Sequence, residues 1–291
     1  MTHRWLTPLV IFLLAPFIAL AAQKATFSVE AEEVRIDVSV TENGRPVSGL
    51  SAVDFEVLDN GVPQDVRYAT LQSRTPVSAT LIFDLSNSVA GQLLDHLKEA
   101  ARAFLNDLKK EDQAALITFN HAVILGSAPT RDLQRIRLAL DQAQPFGNSA
   151  LIDGSYAGLV LAQTSPNPPL LIVFSDGRDT VSWLTGDSVL ETAKRNGAVV
   201  YAVSPSPLPE KTFLRDLAKL TGGLPFEVKS TSDLAATFLS ILDEFRQRYL
   251  ITYTPRGVSE SGWHKLEVRM KNRSSTIRAR PGYLRASAEQ R

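Results

Sequence analysis

Four apolar runs separated by stretches of helical length constrain this chain more than any other feature. The runs cover residues 79–83, 114–119, 170–174 and 198–203. An apolar strand without polar alternation is covered on both faces, as in parallel sheets. Between the runs, residues 91–108 place Leu93, Leu94, Leu97, Ala101, Phe104, Leu105 and Leu108 at helical spacing. Residues 131–142 repeat the pattern with Leu133, Ile136 and Leu140, one apolar stripe per helix. Further helical stretches are 151–163, 187–196, 212–220 and 232–247. Strands alternating with helices predict an α/β domain over residues 77–247, with a doubly wound, mostly parallel sheet.

The flanks follow a different rhythm. Val34, Ile36, Val38 and Val40 alternate with polar residues, the pattern of a half-buried strand. Asn43-Gly44 and Asn60-Gly61 are strong hairpin turns, and Phe55, Val57, Val66 and Tyr68 continue the alternation. After the α/β region, Tyr249–Tyr253 reads as a strand, Pro255–Gly262 as a loop, and Leu266, Val268 and Met270 as a second strand. Ile277 lies in a last strand. Neither flank has enough strands to stand alone. The economical arrangement is one small all-β sandwich built from residues 24–75 and 249–286, with the α/β domain inserted between them. Helix 232–247 then runs directly into the strand at Tyr249.

His3 and Arg4 precede an almost wholly apolar stretch, Trp5 to Leu20, that ends in Ala19-Leu20-Ala21. This is the pattern of a cleaved export signal over residues 1–21. The expected location is therefore periplasmic or extracellular. A retained anchor is the rival, but Pro8 and Pro16 interrupt a run already short for a span. No later stretch is apolar enough to cross a bilayer, so no membrane span is expected after cleavage. Lys and Arg total 31 and Asp and Glu total 31. That balance gives nucleic-acid binding no support from bulk charge. Cysteine is absent, which excludes disulfides, thiol catalysis and thiolate metal sites.

Oxygen-bearing side chains gather where strands end. Asp84, Ser86 and Ser88 follow the run ending at Phe83. Set at every second position, they can converge if the chain curls there. Gly147-Asn148-Ser149 puts a hydroxyl at the entrance to helix 151–163. Ser175-Asp176-Gly177 puts a carboxylate at the end of strand 170–174. Sites in open α/β sheets lie outside the carboxyl ends of the strands, so these segments belong to one edge. Oxygen-only donors suit a hard divalent cation, magnesium or manganese, rather than zinc or copper.

Segments 80–88, 147–151 and 171–177 resemble, in order, the three metal-binding segments of von Willebrand factor type A domains. The resemblance implies a metal-ion-dependent adhesion site in which Ser86 and Ser88 coordinate Mg2+ or Mn2+ directly and Asp84 and Asp176 act mostly through waters. Ser149 stands where the family usually has threonine, keeping the hydroxyl and losing a methyl that stiffens the side chain. With hydroxyls dominating the inner shell, the cation stays electrophilic and keeps exchangeable waters. An Asp or Glu carboxylate from a partner protein can then replace one water. Asn87, Asn148, Arg178, Asp179 and Trp183, in the strand-end loops, form the expected partner-binding rim. Asp54-Phe55, Asp59–Gln64 and Arg280-Pro281-Gly282-Tyr283 further resemble exported bacterial relatives of this family.

Other chemistries find less support. No histidine pair among His3, His96, His121 and His264 has zinc spacing. His96 reads as a surface residue, His121 as a turn residue near the proposed edge, and His264 lies before the strand of Leu266. Gly147-Asn148-Ser149-Ala150 lacks the closing glycine of a nucleophile elbow. Asp153, at a helix entrance, reads as a cap. The basic tail, Arg269 to Arg285, reads mostly as the wet face of strands. The favoured function is an exported, metal-dependent adhesion-type module and not an enzyme. The rivals are an envelope scaffold with a vestigial site and, behind it, a hydrolase.

Overall fold

A computed structural model describes residues 33–209 and 212–285. The expected export signal lies outside the described residues, as do the first positions of the N-terminal β segment.

The N-terminal flank folds as β1 (Val34–Glu42), β2 (Arg45–Pro46), β3 (Phe55–Asp59), β4 (Val62–Gln64) and β5 (Val66–Leu71). Both expected hairpin turns form. Asn43 and Gly44 have φ of 51° and 74°, and Asn60 and Gly61 have 50° and 82°. Two successive positive φ values match the right-handed twist of the flanking strands. The α/β region follows as β6 (Ser78–Asp84), α1 (Gln92–Asp107), β7 (Gln113–Phe119), β8 (Val123–Thr130), α2 (Leu133–Gln142) and α3 (Leu151–Ala162). It continues with β9 (Pro169–Phe174), α4 (Gly186–Lys194), β10 (Val199–Ser204), α5 (Phe213–Leu220), β11 (Pro225–Glu227) and α6 (Leu234–Arg246). The C-terminal flank is β12 (Tyr249–Tyr253), β13 (Gly262–Met270), β14 (Thr276–Arg278) and β15 (Gly282–Arg285). The strand of Ile277 is thus followed by one more.

The two flanks pair with each other. One antiparallel sheet has the order β14-β1-β12-β5, with Ile36 opposite Ile251. A second has the order β15-β13-β3-β4, with Val57 opposite Val268. Their inward residues, among them Ile36, Val38, Phe55, Val57, Ile251 and Leu266, share one buried cluster. Two tyrosines of β12 tie the first sheet to its neighbours. Tyr249 donates to the carbonyl of Val47 at 3.1 Å, and Tyr253 donates to Asp59 Oδ2 at 2.7 Å. Asp59 is fully buried and also accepts from Tyr283 at 2.9 Å. Its Oδ1 lies 2.8 Å from His264 Nδ1. His264 is therefore a buried member of β13 and not a residue preceding it.

The α/β region forms one sheet, β11-β10-β9-β6-β7-β8. All neighbours run parallel except β8, which returns antiparallel at the edge. Every residue of the central strand β6 is buried, which is why its sequence shows no alternation. Helices α1, α2 and α6 cover one face, where Leu81, Phe83, Phe104, Phe238 and Phe245 pack together. Helices α3, α4 and α5 cover the other, around Ile82, Leu159, Val173 and Leu217. Burying one such side chain contributes about 1.5–3 kcal/mol.

A polar joint lies where α6 passes into β12. Arg246 donates to Asp112 Oδ2 at 2.6 Å, and the same carboxylate accepts the backbone amides of Val77 and Lys109. Arg248, fully buried, donates to the carbonyl of Asp37 at 3.0 Å. Arg278 reaches Glu244 at 2.7 Å, and Arg280 donates to the carbonyls of Lys194 and Asn196 at the end of α4. These two tail arginines depart from the wet-face expectation. They fasten the β strands to the helices.

Candidate functional site

The carboxyl ends of β6 and β9 and the start of α3 meet at one edge. After Asp84 the chain makes a single 3-10 turn, Asn87–Val89. This is the curl that convergence of the alternate side chains requires. Asp84 Oδ1 accepts the amide of Ser86 at 2.8 Å, and Ser86 Oγ lies 3.1 Å from Ser88 Oγ. From the α3 entrance, Ser149 Oγ donates to Asp84 Oδ2 at 2.9 Å. Four of the five expected donors are thus linked: Asp84, Ser86, Ser88 and Ser149. Asp176 joins none of these hydrogen bonds. Its Oδ1 accepts the amide of Arg178 at 3.0 Å. Its neighbour Ser175 connects that segment to the cluster, donating to Asp84 Oδ2 at 2.7 Å.

Asp84 is fully buried. Burial raises its carboxyl above the ordinary range, against the opposing pull of hydrogen bonds from Ser86, Ser175 and Ser149. No cationic side chain among the described residues pairs with it. Nor do the described residues contain a cluster of three or more His, Asp or Glu suited to a metal. The donors here are mostly hydroxyls. A hydroxyl that gives its proton to Asp84, as Ser149 does, keeps both lone pairs for another electrophile.

The comparisons with known proteins bear on this arrangement. The family model described as "von Willebrand factor type A domain" matches residues 80–178, the stretch that holds all five donors. This chain carries a von Willebrand factor type A domain. A UPF0353 protein of Mycobacterium avium is 24% identical over 251 residues, covering 74% of this chain and 72% of its own length. The solved structure of a von Willebrand factor type A protein from Catenulispora acidiphila superposes with a TM-score of 0.53 at 12% identity. That match covers 86% of this chain and 77% of the other. Proximal thread matrix protein 1 from the mussel byssus gives a TM-score of 0.50 at 16% identity, over 62% of this chain and 48% of that one. At these identities the structural likeness concerns the fold.

The loops of the type A domain are pinned to one another around the cluster. Asn87 and Gly147 exchange two hydrogen bonds, 3.0 Å from the Asn87 amide to the Gly147 carbonyl and 3.1 Å from the Gly147 amide to Asn87 Oδ1. Thr180 Oγ1 accepts the amide of Ser149 at 2.9 Å. Asp179 accepts the amide of Ile152 at 3.2 Å, so this expected rim residue is engaged at the start of α3. Asp153 accepts the amides of Trp183 and Leu184 at 2.9 and 3.0 Å. It anchors the loop after β9 instead of serving its own helix. Asn148 and Arg178 are exposed, and Trp183 is 94% exposed on that anchored loop. His121 is exposed and meets the exposed ring of Phe146 edge-on at 5.4 Å between centroids.

Ser175 and Thr180 were outside the expected set. Ser175 directly precedes Asp176, and its inward aim depends on how β9 ends. Thr180 carried no spacing signal, because its partner Ser149 lies on another segment.

Proposed function

We propose that this protein is an exported, metal-dependent interaction module that binds a partner protein's Asp or Glu carboxylate at the Asp84 cluster. One observation carries the reading. A buried carboxyl receives three donors yet lacks a cationic partner among the described residues, while hydroxyls beside it retain free lone pairs. A buried charge without a counter-charge is costly, and a hard cation among oxygen donors compensates it. Ser86, Ser88 and Ser149 would hold Mg2+ or Mn2+, with Asp84 and Asp176 behind them. When bound, the ion supplies an electrophilic position open to a carboxylate. The exposed side chains of Asn87, Asn148, Arg178 and Trp183 would select the partner, with Asp179 holding their loop.

Binding, not catalysis, is the proposed role: the hydroxyls that donate to Asp84 are read as cation donors, with lone pairs left for a hard ion. Export rests on the N-terminal signal pattern. Among the described residues no helix is long and apolar enough to cross a membrane. In this reading residues 24–75 and 249–286 form a β-sandwich that carries the inserted domain, residues 77–247. Thermal unfolding with and without magnesium or manganese tests the proposal. Wild type should gain several degrees at millimolar cation and Asp84→Ala none, since a ligand of the native state stabilises it by mass action. No gain in wild type favours a scaffold with a vestigial site.

A further inference from the structure

A second concavity lies at the opposite end of the strands, between the α/β helices' returning loops and the outward face of the first β sheet. This cleft has a volume of about 620 Å3. Its floor is ordered by strand register. Arg35 stands opposite Thr252, and Thr252 opposite Tyr68, giving one row across three strands. Asp37, Leu250 and Thr70 make the next row. β12 is paired on both sides, so its backbone is consumed by its own ladders, and β5 is the edge strand, paired on one side only. A ligand lying across the face of the floor is read by side chains.

Those side chains have a definite chemistry. Among the described residues neither the guanidinium of Arg35 on the floor nor that of Arg195 on the far wall has a hydrogen-bond or ion-pair partner. Arg67, in contrast, is paired with Glu33 at 3.0 Å, and its guanidinium stands 6.0 Å from the centre of the Tyr68 ring. The Tyr68 ring is thus backed by a held cation while remaining 61% exposed. Two unpaired guanidiniums facing one cleft suit carboxylates, which they bind in a two-pronged fashion. An exposed flat ring suits the C–H face of a sugar, with the half-buried Thr70 two residues along the same strand for the sugar's own hydroxyls.

We propose that this cleft binds an oligosaccharide bearing carboxylates, with Arg35 and Arg195 engaging the carboxylates and Tyr68 stacking on a sugar ring. The proposal is independent of the hydroxyl cluster at the other end of the domain. The test is calorimetric titration of the full chain, in EDTA, with trigalacturonate, with the neutral trisaccharide maltotriose and with triglutamate. Trigalacturonate should bind saturably, and maltotriose and triglutamate at least about tenfold more weakly, a difference of about 1.4 kcal/mol. Arg35→Ala, Arg195→Ala and Tyr68→Ala should each weaken trigalacturonate binding by about tenfold or more, with melting temperatures within about 2 °C of wild type. Asp84→Ala should bind it as wild type does. Absence of trigalacturonate binding, or binding unchanged in Arg35→Ala and Tyr68→Ala, overturns the proposal. Equal binding of triglutamate overturns it too, since the site would then read charge alone.

Discussion

Asp84 holds a position that few surface carboxylates could: buried, between two serine hydroxyls from different segments and the amide of Ser86. Replacing Ser175 by alanine removes one donor to that carboxylate and should lower stability by about 1.5–3 kcal/mol, the range for hydrogen bonds to charged groups; urea unfolding reads it directly. A second prediction concerns Asp37, at the joint between the β strands and α6. Burial raises its carboxyl above the usual range, outweighing the pull of Arg248. A folded-state value above the unfolded one means that its stabilising share is present under acid conditions and is lost as pH rises through the folded value. Asp37→Asn should therefore gain stability relative to wild type as pH is raised from about 3 to 7; a constant difference between the two unfolding curves contradicts this. Much of this scale was legible in the sequence. Asp84, Ser86 and Ser88 alternate after a strand, and a single turn suffices to bring them together. Ser175 was not, because whether a strand-end residue points inward depends on where the ladder stops. The burial of His264 against Asp59 was equally hidden, since it depends on a pairing between residues 205 positions apart.

At the scale of elements, helix α3 sits close to the sheet because glycine permits it. A β-carbon on Gly154 would stand 2.5 Å from Phe119 Cδ1, so Gly154→Val should cost about 1–3 kcal/mol by forcing Phe119 or the helix aside. The same displacement moves the entrance of α3, where Ser149 sits, so cation-dependent stabilisation should fall with it. At the other end of the domain, Arg246 is the counter-charge to a fully buried Asp112. Arg246→Ala leaves that carboxylate unpaired and should cost about 3–5 kcal/mol, whereas Arg246→Ala/Asp112→Ala together should cost less than the single change. The long elements followed from periodicity. The edge strand β8 did not: Val123, Ile124 and Leu125 are all at least partly exposed, so its apolar run carries no burial pattern, and β11, three residues long, is too short for one.

At the scale of the whole molecule, strands from both ends of the chain share two sheets, and the α/β region lies between them in sequence. Neither flank has strands enough to stand alone, and β1 against β12 is how the insufficiency is met. The flanks and the α/β region are further joined through Arg248, Arg278 and Arg280, the last two from a tail whose alternation suggests solvent. The amphipathic face of a strand does not reveal what packs against its polar side. The proposed function requires an electrophile at the edge where β6, β9 and α3 converge. Titrating Mn2+ into the protein and following free ion by electron paramagnetic resonance tests it most directly. A single saturable site in wild type, lost in Asp84→Ala and weakened in Ser149→Ala and Asp176→Ala, is the predicted result. Free manganese that stays unbound, or binding that all three variants retain unchanged, contradicts it.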